Sequence, residues 1–275
     1  MNFKKWAPLA VAAAAVLATS TAWADRLQDI KKAGVLRVAA FDANPPFGFA
    51  DPKTRKLVGL DVDYAQEFAK RLGVKLQLVP TNPANRVPLL LSNKVDLVLA
   101  NFTITDERAK QVNFSVPYFS SGTQFIAPKG TLTSAEQLNS LRIGVDKGTT
   151  NEITLREKYP QAKLVAYDDT PFAFTALRNG NVQAISQDGP KLVGLLATIK
   201  NPEERAKWEV PAFTISNDYI GVGIPKGETA LTDWVNTTLQ ELEANGHAGK
   251  IYDAWFGPQS ATPLTRNFKI GDKAA

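Results

Sequence analysis

What most constrains this chain is a change of hydrophobic period that repeats along its length. Residues 61–72 carry apolar side chains at helical spacing and stop at Gly73; residues 74–79 then alternate, with Val74, Leu76 and Leu78 on one face. Residues 35–40 before that helix and 95–100 after it are dense apolar runs of strand length. The sequence predicts further strands at 142–145, 164–167 and 182–186, with helices at 150–159 and 172–179 between them. A series that alternates strands with amphipathic helices is satisfied by parallel sheets covered by helices, which is the α/β class. A chain of 275 residues has room for one large domain of this kind or two smaller ones.

The N-terminus carries a different signal. Lys4 and Lys5 precede an alanine-rich apolar run that reaches about residue 18, where polar Thr19 and Ser20 follow. The run is shorter than the roughly 20 apolar residues a membrane-spanning helix needs. With Ala22-Trp23-Ala24 after it, the layout is that of a cleavable signal peptide over residues 1–24, with a mature start near Asp25 and export to the periplasm. The chain has no cysteine, so neither a lipid-modified N-terminal Cys nor a disulfide is available and the apolar core must supply the stability. Of 32 basic residues, Lys4 and Lys5 fall in the leader; the remaining 30 are mixed with 27 acidic ones without a basic block, which argues against nucleic acid as a partner. The single histidine, His247, excludes a multi-histidine metal site, and neither a Gly-x-Ser-x-Gly elbow nor a phosphate-cradling Gly-rich loop is present, so no cofactor is expected.

Residues 123–128 and 219–225 are both extended in character, apolar and closed by Pro-Lys-Gly, and the first ends in Ala127-Pro128-Lys129-Gly130 where the second ends in Ile224-Pro225-Lys226-Gly227. Read as two crossings, they divide the chain into a first lobe (25–122), a second lobe (123–219) and a return segment with a tail (220–275). Open α/β sheets bind ligands beyond the C-terminal ends of their strands, so two such sheets facing each other predict a cleft between lobes.

Several motifs in order resemble those of the polar amino acid binding proteins of bacterial ABC importers. They are Gly59-Leu60-Asp61-Val62-Asp63-Tyr64-Ala65-Gln66-Glu67-Phe68-Ala69-Lys70-Arg71-Leu72-Gly73, Asn85-Arg86-Val87-Pro88, Phe102-Thr103-Ile104-Thr105-Asp106-Glu107-Arg108, Phe114-Ser115-Val116-Pro117-Tyr118, Gly144-Val145-Asp146-Lys147-Gly148-Thr149-Thr150, Gln187-Asp188 and Lys250-Ile251-Tyr252-Asp253-Ala254-Trp255-Phe256-Gly257. The resemblance implies a type II two-lobed periplasmic binding protein fold with two hinge-connecting segments. The implied partners are a free amino acid and the permease subunits of an importer, and the implied state is a monomer. Some exported dehydratases for prephenate-like or arogenate-like acids resemble the same family, and they supply the alternative reading.

The resemblance also implies roles. Arg108 would grip the ligand α-carboxylate, and a planar guanidinium fork suits both its oxygens. Thr103, Thr149 and Thr150 would add hydroxyls and helix N-terminal N–H groups to the same anion, although each also suits a cap or turn. Asp188 would accept from the α-ammonium, helped by backbone carbonyls near Asn101; without the resemblance, an Asp before Gly189-Pro190 reads as a helix cap. Arg86 stands where relatives that bind acidic amino acids reach the second carboxylate, which leans the expected ligand toward glutamate or aspartate. Some of those relatives add a lysine at the end of the first strand, where this chain has Phe41 and Asp42. Asp42, Asn44 and Phe47 are the remaining expected lining residues.

Overall fold

The computed structural model describes residues 25–272. The expected signal peptide, residues 1–24, lies outside them. Among the described residues, no helix is long and apolar enough to cross a membrane.

Two five-stranded sheets form the body of the protein, and they share one plan. In the first, the order is Lys75–Thr81, Val35–Phe41, Leu97–Val98, Gly223–Pro225, Val112–Phe114; in the second it is Lys163–Tyr167, Arg142–Asp146, Ala184–Asp188, Thr123–Pro128, Trp208–Glu209. The first three strands of each sheet are parallel, and the fourth is antiparallel to both of its neighbours. The sequence echo at Pro-Lys-Gly thus has a structural cause. Pro128 and Pro225 each close the fourth strand of their sheet, paired with Trp208 and Val112 of the fifth.

That arrangement corrects the expected crossings. Thr123–Pro128 and Gly223–Pro225 are interior strands, apolar because they are packed on both faces. The chain passes between the sheets a few residues earlier, at Phe119–Ser121 and Asp218–Ile220, which pair antiparallel as a two-stranded ribbon. The run 95–100 is also less regular than its apolar density predicts. All but Asp96 are fully buried, but only Leu97 and Val98 hold strand pairing, with Val38 and Ala39.

The parallel strands aim their C-terminal ends at the space between sheets, and helices begin there. Asn82 caps the turn Pro83–Asn85 that leads into the helix Arg86–Leu91. Thr149 caps Thr150–Lys158 by accepting from Glu152 N–H, and Asp188 precedes Gly189–Ala197. Phe47, expected at the cleft, is instead a core residue of the first lobe. Its ring is fully buried and meets Phe119 and Phe256 edge-on at centroid distances of 4.9 and 5.8 Å. An aromatic after two prolines is positioned by the burial it gains, and here the core offers more apolar contact than a polar cleft.

Candidate ligand-binding site

Between the lobes lies a small enclosed cavity of about 10 Å³ lined by residues of both, among them Arg86, Asn101 and Thr103 from the first and Thr149, Thr150, Asp188 and Lys191 from the second. Larger pockets exist, one of about 430 Å³ beside Arg266 and others of about 270 and 90 Å³ that also draw on both lobes, but they are lined without any buried charged side chain. The interlobe cavity stands out by chemistry, since ionisable side chains are here taken out of water.

Arg86 is 3% exposed, and its donors go to the wall around it. Nε donates to Pro83 O (3.0 Å), Nη1 to Ala100 O and Asn101 O (3.1 and 2.9 Å), and Nη2 to Gly148 O across the cleft (3.4 Å). The guanidinium also stands 4.7 Å from the centroid of the Phe102 ring. Burial, and then the Arg108 charge nearby, push its pKa well down, yet a guanidinium is basic enough to stay charged at neutral pH. The carbonyls near Asn101, expected to receive an ammonium, are therefore already engaged by Arg86. What Asn101 leaves open is its side-chain Oδ1, which is buried with no partner among the described residues.

Arg108 sits beside the cavity, 4.8 Å from the Phe102 ring centroid. Its Nη1 donates to Thr103 O (2.7 Å) and its Nη2 to Gly148 O of the second lobe (2.9 Å). Burial lowers its pKa to about 10. Neither Arg86 nor Arg108 forms an ion pair within the described residues, so two buried positive charges rest on carbonyl dipoles and the face of Phe102. Such charges are expensive unless an anion joins them.

The second lobe faces them with a carboxylate. Asp188 makes no cap bond to its helix; its oxygens accept from Asn101 Nδ2 and from Asn151 Nδ2 (3.2 Å) instead. The cap reading of Asp188 fails for that reason, while the cap reading of Thr149 holds alongside its place in the cavity wall. Thr103 Oγ1 and Thr150 Oγ1 approach to 3.3 Å across the cleft. These are the contacts that an entering amino acid must replace, because the enclosed space is about that of one water.

Behind the floor, Asp61 is fully buried, accepting from Tyr118 Oη (2.7 Å) and from the Asn101 N–H (2.8 Å). This bond fixes Asn101 at a φ of 43°, a left-handed conformation that Asn tolerates better than most residues. Burial raises the Asp61 pKa to about 7.

The first loop does not reach the cavity as expected. Asp42 is exposed at the surface, where partial loss of hydration, then the Asp169 charge, raise its pKa. Asn44 is buried but bridges lobes outside the cavity, donating to Asp169 Oδ1 (2.7 Å) and accepting from Thr170 Oγ1 (3.0 Å). Sequence reasoning missed Lys191, Asn151 and Pro83, all of which line the site. One signal was available: Lys191 is the only charged residue in the helix Gly189–Ala197.

A family model for bacterial extracellular solute-binding proteins, family 3, matches residues 36–258. The chain belongs to that family. Among curated family 3 relatives, the L-cystine-binding protein TcyJ of Escherichia coli (strain K12) is 34% identical over 84% of this chain and 86% of its own length. The glutamate/aspartate import solute-binding protein of the same strain is 28% identical over 90% and 85%. Among solved structures, the ancestral amino acid-binding protein AncCDT-1, a precursor of cyclohexadienyl dehydratase, superposes with a TM-score of 0.76 at 33% identity, covering 84% of this chain and 99% of that one. The two sheets and the cleft between them are the two-lobed architecture of family 3.

Proposed function

We propose that this protein captures a free amino acid with an acidic side chain in the periplasm and delivers it, as a monomer, to the permease of an ABC importer. The observation that carries this reading is the charge imbalance of the cleft. Asp188 can answer an α-ammonium and Arg108 an α-carboxylate, which leaves Arg86 as a buried cation that no carboxylate among the described residues contacts directly. A zwitterion with a neutral side chain adds no net charge, whereas glutamate or aspartate adds one negative charge. The relatives' names include cystine as well as glutamate and aspartate, so the choice rests on this chain's own charges.

Capture begins with the lobes apart, bending at the ribbon of Phe119–Ser121 and Asp218–Ile220. Closure then exchanges Asn101–Asp188 and Thr103–Thr150 contacts for bonds to the ligand. Each charge-assisted bond contributes about 1.5–3 kcal/mol, so four or five outweigh the ordering cost and support micromolar affinity, about −8 kcal/mol.

The test is titration calorimetry on mature protein unfolded and refolded to remove carried ligand, against the twenty amino acids. The expected result is heat with glutamate or aspartate, lost in Arg108→Ala, and compaction by small-angle scattering at saturation. Preference for a neutral or basic amino acid would overturn the acidic assignment. Turnover of prephenate or arogenate, with no amino acid bound, would replace transport by the dehydratase alternative.

A further inference from the structure

Lys191 is the one charged cavity residue that the roles above leave unexplained. It lies in the first turn of Gly189–Ala197, among apolar neighbours, and is 2% exposed. Its Nζ stands 4.9 Å from the centroid of the Phe41 ring and 4.0 Å from Asp146 Oδ2. That oxygen already accepts from Thr170 Oγ1 (2.5 Å) and Gln187 Nε2 (2.7 Å). Among the described residues, Lys191 Nζ has no hydrogen-bond partner. A buried ammonium with three unused N–H groups and only a distant counterion is in an unfavourable place, and it lines the same cavity as Arg86.

We propose that Lys191 is the specificity-determining residue of the cleft and that it binds the carboxylate of the ligand side chain. The inference rests on the acidic amino acid reading above and deepens it. Arg86 is held by three carbonyls of its own lobe, Pro83, Ala100 and Asn101, and by Gly148 O across the cleft, so it contributes a fixed charge. Lys191 is attached by a flexible four-carbon chain with every donor free, so it can turn toward an anion and bond to it. Both cations stand within 6 Å of the Phe41 ring, Arg86 at 5.7 Å and Lys191 at 4.9 Å. The anionic group is therefore met by one charge from each lobe, over an aromatic floor that excludes water. Binding from the second lobe also makes side-chain recognition part of closure. Asp146 stays as the lysine's resting counterion, and its raised pKa follows from burial, eased by Lys191.

The test compares glutamate, aspartate, glutamine and asparagine by calorimetry at pH 7 in the refolded mature protein and in Lys191→Met, Lys191→Gln and Lys191→Arg. The expected result is that the wild type favours acids over amides, that Lys191→Met and Lys191→Gln lose about 10- to 100-fold in acid affinity with amide affinity changed less than threefold, and that Lys191→Arg restores the acid preference. Across pH 7 to 10 the acid-to-amide affinity ratio of the wild type should also fall, and that fall should vanish in Lys191→Met; the ligand α-ammonium titrates alike in acids and amides and cancels in the ratio, and the carboxylates facing Lys191, Asp146, Asp169 and Asp188, are kept in both proteins. If the wild type favours acids and both neutral variants keep the same acid-to-amide ratio, Lys191 is not the reader although the acidic ligand stands. A wild type that binds amides as tightly as acids overturns the acidic reading and this assignment together. Equal losses for acids and amides in both variants would make Lys191 a structural residue and overturn the inference.

Discussion

The two lobes are built on the same strand order, yet they present charge to the cleft in opposite ways. The first lobe locks its cation: Arg86 spends its donors on Pro83, Ala100 and Asn101 of its own lobe, with one left for Gly148 across the cleft, and Asp61 pins Asn101 beside it. The second lobe leaves its charges loose, with Lys191 without a hydrogen bond and paired to Asp146 only at 4.0 Å, and the Asp188 carboxylate held only by side-chain amides. The same fold can therefore serve as template on one side and reader on the other. What separates the two is where each charged group finds hydrogen-bond partners, since a group fully satisfied by its own wall has little left for a ligand.

The sharpest way to break this contrast is to remove each cation and measure stability. Arg86→Ala strands buried carbonyls and should lower the free energy of unfolding by about 3–5 kcal/mol, whereas Lys191→Met removes a buried ammonium but also takes the counterion from Asp146, so its loss should be smaller, about 1–2 kcal/mol. Equal losses in urea titrations would erase the distinction between locked and loose. Next in size, Asp188→Asn should weaken every amino acid by about 100-fold, because the ammonium is common to all of them. A loss confined to acidic ligands would contradict the role assigned to it.

A smaller effect probes the first lobe's floor through pH. Asp61 has its pKa raised by burial to about 7, above the unfolded value of 3.8, against the lowering effect of the Tyr118 and Asn101 bonds and of the Lys191 and Arg86 charges. A raised carboxyl binds more protons folded than unfolded, so its contribution to stability is present at acid pH and is lost as pH rises through 7. Between pH 5 and pH 7 this amounts to about 2 kcal/mol, and Asp61→Asn should flatten that portion of the stability profile in thermal melts.

The smallest effect tests closure alone. A Cβ on Gly194 of the second lobe would come within 2.2 Å of Pro45 O of the first. Gly194→Ala should therefore weaken ligand binding by about tenfold while leaving the ligand-free melting temperature unchanged or higher, since Ala favours the helix by up to about 1 kcal/mol. A drop in the ligand-free melting temperature would show that the contact stabilises the fold rather than closure.

The sequence by itself determined the α/β class, because the switching period of apolar residues admits few other solutions. Its ordered motifs, Gly59 to Gly73 above all, pointed to the family that the comparisons then established. Arg86, Asn101, Thr103, Thr150 and Asp188 were legible as a set by the same route, and the structure brings them to one cavity with Arg108 at its side. Only the tertiary structure decided the rest. Residues 123–128 and 219–225 look like connectors in one dimension, since an apolar extended run is the same whether it crosses between sheets or completes one. Phe47 went to the core and Asn44 to the lobe contact because packing across 70 or more residues outweighs position in a loop. Lys191 could be noticed in sequence as a lone charge on an apolar helix. That it stands over Phe41 without a hydrogen bond depends on how two lobes meet, and a hydrogen bond left unmade is a property of three-dimensional neighbours.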